Sequence, residues 1–186
     1  TGGPMATAGA HFPQGFACPP AGAVLAMDDG TELRFLGAVP DDPEVCRFAS
    51  SAGPPGAPPT AALYGIWNAA SDSAAKARAA LRELFPLAAG KSARFTVLGE
   101  VAGAWDNVFT VKERRTLAVP AGRFDVWVIE YEQDGRIASH FVGREFLSLA
   151  DNGMIIRREG TVVQGAVPAG SRFAAPPSQA VSIRMP

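Results

Sequence analysis

The sequence is poor in the residues that most reaction chemistry needs. It holds two histidines, His11 and His140, and two cysteines, Cys18 and Cys46, in 186 residues. No Cys-x-x-Cys and no histidine pair at helical spacing occurs, so the common zinc patterns are excluded and no metal is expected. No Gly-x-Ser-x-Gly occurs, which excludes a nucleophile elbow. Gly90-Lys91-Ser92 resembles the end of a phosphate loop, but Phe85 stands where the loop's first glycine belongs. A helix pattern precedes that segment and a strand pattern follows, the reverse of the order that aims helix N–H groups at phosphates. No cofactor is therefore expected. Charge is scarce too: 19% of residues are charged and the net charge is −1. Nothing basic enough for nucleic acid or an anionic membrane surface is present. No apolar run reaches the ~18 residues that cross a bilayer, so no transmembrane segment is expected.

What the chain has in abundance is turn chemistry between short apolar runs. Glycine and proline number 20 and 16 and concentrate near the N-terminus, in 53–59 and in 165–178. The most informative stretch runs from Thr116 to Tyr131. Pro120-Ala121-Gly122 is a tight turn, in which proline presets its own φ and glycine takes a positive one without steric cost. Val126, Trp127, Val128, Ile129 and Tyr131 then fill both faces of a strand, and a strand apolar on both faces needs cover on both. Further strand patterns fall at 24–27, 33–36, 45–48, 62–67, 93–101, 105–112, 137–147 and 154–159, with weaker ones at 161–164 and 180–185. Asp134-Gly135 and Asn152-Gly153 read as hairpin turns. Ser71–Leu84 is the one strong helix pattern, with Ser71 or Asp72 as its cap and Pro86 ending it.

These patterns predict a mainly β (α+β) domain: an antiparallel open sheet or half-barrel with one helix packed on it near 71–84. Residues 1–14 read as a mobile tail. Residues 15–186 read as one domain, with a hairpin subregion at 15–60 and a core region at 61–164. Thr1-Gly2-Gly3-Pro4 opens the chain as a cut mature terminus or an expression scar would, and a removed signal peptide would leave no trace. Val119-Pro120-Ala121-Gly122-Arg123-Phe124 is echoed by Val167-Pro168-Ala169-Gly170-Ser171-Arg172-Phe173, which we read as reuse of one turn.

Cys18 and Cys46 can pair in one way only. The alternative is two reduced, buried side chains. We expect the disulfide, which in the chain-entropy model stabilises by about 3–3.5 kcal/mol and implies an oxidising compartment. Acidic clusters at Asp28-Asp29 and Asp41-Asp42 lack calcium-loop spacing and read as turns. Arg144 and Glu145 face Arg157 and Arg158 across an expected hairpin, either as cross-strand ion pairs or with one arginine turned to a concavity. Trp105, Trp127, Tyr131 and Phe141 combine large apolar faces with polar tips and suit a ligand wall as they suit a core. Together with Arg144 they form the candidate binding set. No catalytic residue is assigned. A triad would have to use His140 with Glu130 or Glu145.

The order of motifs resembles a family. A helix, Leu84-Phe85-Pro86-Leu87, Gly90-Lys91-Ser92, a strand with Trp105 and Phe109, Val119-Pro120-Ala121-Gly122-Arg123-Phe124-Asp125, then Asp151-Asn152-Gly153 and Ile156-Arg157 resemble bacterial exported proteins carrying a β-rich domain of unknown function. The resemblance covers roughly 60–160. It implies a half-barrel-like antiparallel sheet with one helix, in the periplasm or attached to a membrane, and supplies no catalytic residue. The expectation is a non-catalytic, exported binding or assembly module, with an apolar small molecule or an envelope protein as partner. A structural subunit and a hydrolase using His140 are the alternatives.

Overall fold

A computed structural model describes residues 15–99, 103–136, 140–166 and 170–186. The expected N-terminal tail, the ends of the strand patterns at 101 and 137, and Val167-Pro168-Ala169 lie outside the described residues. The strands are β1 (Val24–Met27), β2 (Glu32–Val39), β3 (Asp42–Ser50), β4 (Thr60–Leu63), β5 (Trp67–Asn68), β6 (Ser92–Gly99), β7 (Gly103–Val119), β8 (Gly122–Arg136), β9 (Phe141–Ala150), β10 (Ile155–Gln164) and β11 (Ser178–Arg184). They form one antiparallel sheet of 11 strands in the order β5-β4-β3-β2-β1-β11-β10-β9-β8-β7-β6. Two meanders thus meet at β1 and β11, where the first and last strands of the chain pair from Val24–Arg184 to Met27–Ala180. The sheet is open, as the turn chemistry implied, and carries one short helix, α1 (Ala74–Leu81), extended by a 3-10 turn at Arg82–Leu84.

The sheet curls until its two edges approach. Trp67 of β5 meets Phe95 of β6 edge to face, with ring centroids 4.7 Å apart. Helix α1 packs against β4, β5 and β6 together and so closes the side that the sheet leaves open. Its buried face is Ala77 and Leu81, continued by Leu84. The small Ala77 side chain lets the helix lie close, and Lys76 Nζ donates to the carbonyl of Thr96 on the edge strand at 3.0 Å. The helix begins later than its sequence pattern. Ser73 stands at the N-cap without a side-chain cap bond. Its hydroxyl lies 3.2 Å from the Trp67 indole N–H instead, and Ser71 bonds the Asn68 carbonyl.

A buried carboxylate fixes the helix to β3. Arg82 reaches Glu44 through Nε and Nη2, each at 2.7 Å. Arg78 reaches it at 3.0 Å and also forks onto Asp42 at 2.8 and 2.9 Å. The Tyr64 hydroxyl donates to the same carboxylate. Burial by itself would raise the Glu44 pKa; hydrogen bonds from Arg82, Tyr64 and Arg78 outweigh it and hold the group at about 2. Asp42 is lowered as well, chiefly by Arg78.

β8 lies between β7 and β9; one face is buried in the core and the other is covered around Val126. Ile129 and Tyr131 belong to a core with Leu63, Leu81, Leu84, Phe109, Phe141 and Leu147. Val126, turned the other way, joins a second cluster with Leu25, Leu117, Met154, Ile156 and Ala180. Asp134-Gly135, expected as a hairpin turn, lies inside the β8–β9 ladder, paired with Val142 and Phe141. The reason is steric. A Cβ on Gly135 would come within 2.8 Å of the Phe141 ring and 2.9 Å of Trp105, so glycine is there for close packing.

Cys18 and Cys46 form a disulfide, with Cα atoms 5.4 Å apart, that ties the N-terminal segment to β3. Alkylation without reductant is expected to add no group to the cysteines, and after reduction to add two; labelling without reductant contradicts the bond. Urea unfolding of the Cys18→Ser/Cys46→Ser variant should show a loss of about 3.5 kcal/mol.

The Glu44 network predicts a pH effect. Its pKa is 4.5 ordinarily and about 2 when folded, so the unfolded chain binds the proton more tightly. The stabilisation, on the order of 3 kcal/mol, is complete above about pH 5 and is lost as pH falls toward 2. The Glu44→Gln variant should be less stable at neutral pH and should lack this acid dependence. Parallel stability–pH curves for the two proteins would contradict the assignment.

Candidate functional site

A cavity of about 280 Å³ lies between β1–β3 on one side and β9–β10 on the other. Met27, Leu33, Phe35, Phe48 and Ile155 form its apolar wall, and Cys46 and Pro19 bring the disulfide region to its edge. Glu145, Arg158 and Arg172 form its polar end. A second hollow of about 390 Å³, bounded by Lys112, Arg115, Phe146, Arg157 and Glu159, lies over β7–β10. Its charges include pairs such as Arg115 with Glu113 at 3.7 Å. Of these two, the first joins an apolar wall to a charged end.

Strand irregularity creates that end. In the β9–β10 ladder, Ile155 pairs with Leu149 but Arg157 pairs with Ser148, so one extra residue is inserted. The bulge shifts the in–out alternation by one, and Arg158 turns to the cavity beside Ile155 instead of away from it. There its Nη1 donates to Glu145 Oε1 at 3.2 Å. Burial, with the like charge of Arg172, outweighs Glu145 and lowers the Arg158 pKa below its ordinary value. The Arg158 side chain is partly exposed and lines the cavity.

Arg172 arrives from the segment between β10 and β11. Phe173 anchors this strap in a notch over two strand glycines. A Cβ on Gly143 would lie 2.4 Å from its ring, and one on Gly160 would lie 2.5 Å from the Arg172 carbonyl. Seated in this way, the strap places Arg172 against the second oxygen of Glu145 and 5.3 Å from the centre of the Tyr131 ring. The Tyr131 hydroxyl donates to Asn107 Oδ1 at 2.7 Å, and burial raises its pKa. Glu145 itself is buried.

The candidate binding residues divide between the two faces of the sheet. Tyr131 and Phe141 are core side chains, and Trp105 packs edge-on against Phe141 at 5.2 Å. Trp127 lies half-buried under Arg114, 5.6 Å from its ring centre, on the far side of a β7 bulge. Arg144 is on the opposite face, 3.0 Å from Glu132 and 3.8 Å from Glu130. None of these five lines the cavity. Glu145 and Arg158, which the sequence offered as ion-pair residues, do line it, together with Arg172. The available signals were Gly143 inside the 137–147 strand pattern and Gly160 between the patterns at 154–159 and 161–164, since a glycine in a strand marks close approach by another chain segment.

His140 is exposed. Nε2 lies 2.7 Å from Asp134 Oδ1, and Nδ1 lies 3.1 Å from Gln164 Nε2. With Nδ1 accepting from Gln164, Nε2 carries the proton given to Asp134, and both ring nitrogens are engaged. Asp28 and Asp29 serve turns, accepting from the backbone N–H groups of Gln179 and Thr31. Among the described residues no group of three or more histidine, cysteine or acidic side chains is placed to hold a metal ion, and no helix is long and apolar enough to cross a membrane.

No family model and no curated protein matches the chain. One solved structure, from Bacteroides fragilis, is similar; it is described as a protein thought to be exported, of YmcC-like fold. The two share 14% identity over 91% of this chain and 99% of that one, with a TM-score of 0.45.

The glycine notch carries a direct test. Gly143→Ala should force the Phe173 ring out of its seat and cost about 1–3 kcal/mol. In a double-mutant cycle, Gly143→Ala should cost almost nothing once Phe173 is alanine. Additive losses in urea unfolding would show that the notch does not seat the strap.

Proposed function

We propose that the chain is a non-catalytic binding module of an exported, cell-envelope protein, holding a small apolar ligand in the cavity between β1–β3 and β9–β10. The observation that carries this reading is the apolar wall of Met27, Leu33, Phe35, Phe48 and Ile155 around a partly open cavity. Such a wall keeps water in poor contact and favours an apolar occupant. The ligand wall drawn from Trp105, Trp127, Tyr131, Phe141 and Arg144 is replaced in this reading by the cavity's own lining. The disulfide supports export, since such bonds persist in oxidising compartments. The resemblance to exported bacterial β-rich proteins supports the same compartment.

Catalysis by His140 is the weaker reading. A general base needs a ring nitrogen aimed at the proton it removes, and both nitrogens here are bonded to Asp134 and Gln164. His140 is also not among the cavity's lining residues.

The test is uptake of an apolar dye. N-phenylnaphthylamine fluorescence should rise on mixing with the folded protein. Leu33→Trp, which fills the cavity from β2, should abolish most of that rise while the unfolding transition remains cooperative. An equal rise with both proteins would place the dye elsewhere and contradict the reading.

A further inference from the structure

The polar end of the cavity offers more donors than Glu145 uses. Arg158 gives that carboxylate one bond, from Nη1 at 3.2 Å. Arg172 reaches its other oxygen through Nη2. Among the described residues neither guanidinium meets a further acceptor. Each guanidinium carries five N–H donors in a planar fork, so most of these donors have no protein partner among the described residues, and both side chains line the cavity. Two guanidiniums against one carboxylate also leave one positive charge in surplus at this end. Asp29, at the opposite wall, belongs to an exposed turn and accepts from the Thr31 amide at 2.8 Å. Burial already weighs against charge on Arg158, and an incoming anion would relieve that cost.

We propose that the cavity takes a small apolar monocarboxylic acid, its carboxylate held by Arg158 and Arg172 and its hydrocarbon body against Met27, Leu33, Phe35 and Phe48. The proposal rests on the reading of the cavity as a binding site and deepens it. The fork geometry of arginine matches a carboxylate two bonds at a time. One negative charge balances the surplus; a dianion would put a second one beside Glu145. The volume of about 280 Å³ suits a short single chain and is too small for a two-chain lipid. The strap explains how the site is completed. Phe173 in its glycine notch fixes Arg172 at the cavity's end, so an exposed residue on an irregular segment acts with Arg158 on a regular strand.

Isothermal titration at neutral pH compares octanoate, octanol and octyl phosphate, each below its micelle concentration. Octanoate should bind at least about tenfold tighter than octanol, the size of effect expected for charge-assisted hydrogen bonds. It should also bind tighter than octyl phosphate. Arg172 is half-exposed, so Arg172→Gln should fold and should collapse the octanoate-to-octanol ratio. Glu145→Gln should move affinity the other way and tighten octanoate, because it removes the competing carboxylate. Equal affinity for octanoate and octanol overturns the proposal and leaves the apolar binding site standing. A ratio unmoved by either variant, or a preference for the phosphate, also overturns it. Binding of none of the three probes overturns the binding-site reading itself.

Discussion

The carboxylate of Glu44 is the point on which the architecture closes. An open sheet leaves two edges and an uncovered side of its core, and here one short helix covers both. That helix is weak by its own chemistry: eight residues, alanine-rich, without a side-chain cap bond. It is held because Arg78 and Arg82, one turn apart on its polar face, converge with Tyr64 on one buried acid of β3. Removing either side would leave charge stranded in the interior, so the arrangement specifies the docking angle as well as stabilising it. Leu81 and Leu84 then complete the core against Phe109 and Ile129.

The cavity depends on departures from regular strand geometry. A perfectly alternating β10 would send Arg158 out to solvent. The single inserted residue near Ile156 sends it inward, where Glu145 receives it. Side chains at positions 143 and 160 would displace the strap, and glycine at both lets Phe173 sit directly on the sheet. Two small local choices therefore turn a packed interface between strand meanders into a space with an apolar wall and a cationic end. The outer face of the same strands shows the contrasting regular case. There Glu130, Glu132 and Arg144 stand across from one another as a cross-strand ion-pair ladder.

Much of the fold was legible because its signals are local. Pro120-Ala121-Gly122, the two-faced strand after it and the helix ended by Pro86 each depend on neighbours in sequence. The pairing of β1 with β11 does not, and the final strand pattern at 180–185 gave no sign that it would lie mid-sheet. Asp134-Gly135 misled for a physical reason: the dipeptide has turn chemistry, but the missing Cβ was needed for Phe141 and Trp105. The site was less legible than the fold. Aromatic residues drew attention as a ligand wall, yet Tyr131 and Phe141 are core. Arg144 and Arg158 look alike in sequence; the β8–β9 register sets Arg144 on the outer face beside Glu132, and the bulge in β10 turns Arg158 inward.

The central claim is that the space under the strap is where a ligand resides. Methyl-selective NMR during addition of octanoate addresses it most directly. The account predicts shifts concentrated on the methyl groups of Met27, Leu33 and Ile155, which line the cavity, while Leu81 and Leu84, at the helix–sheet core, stay in place. Shifts centred on the Val128 methyl groups in the hollow over β7–β10, or scattered over the exposed surface, would contradict it.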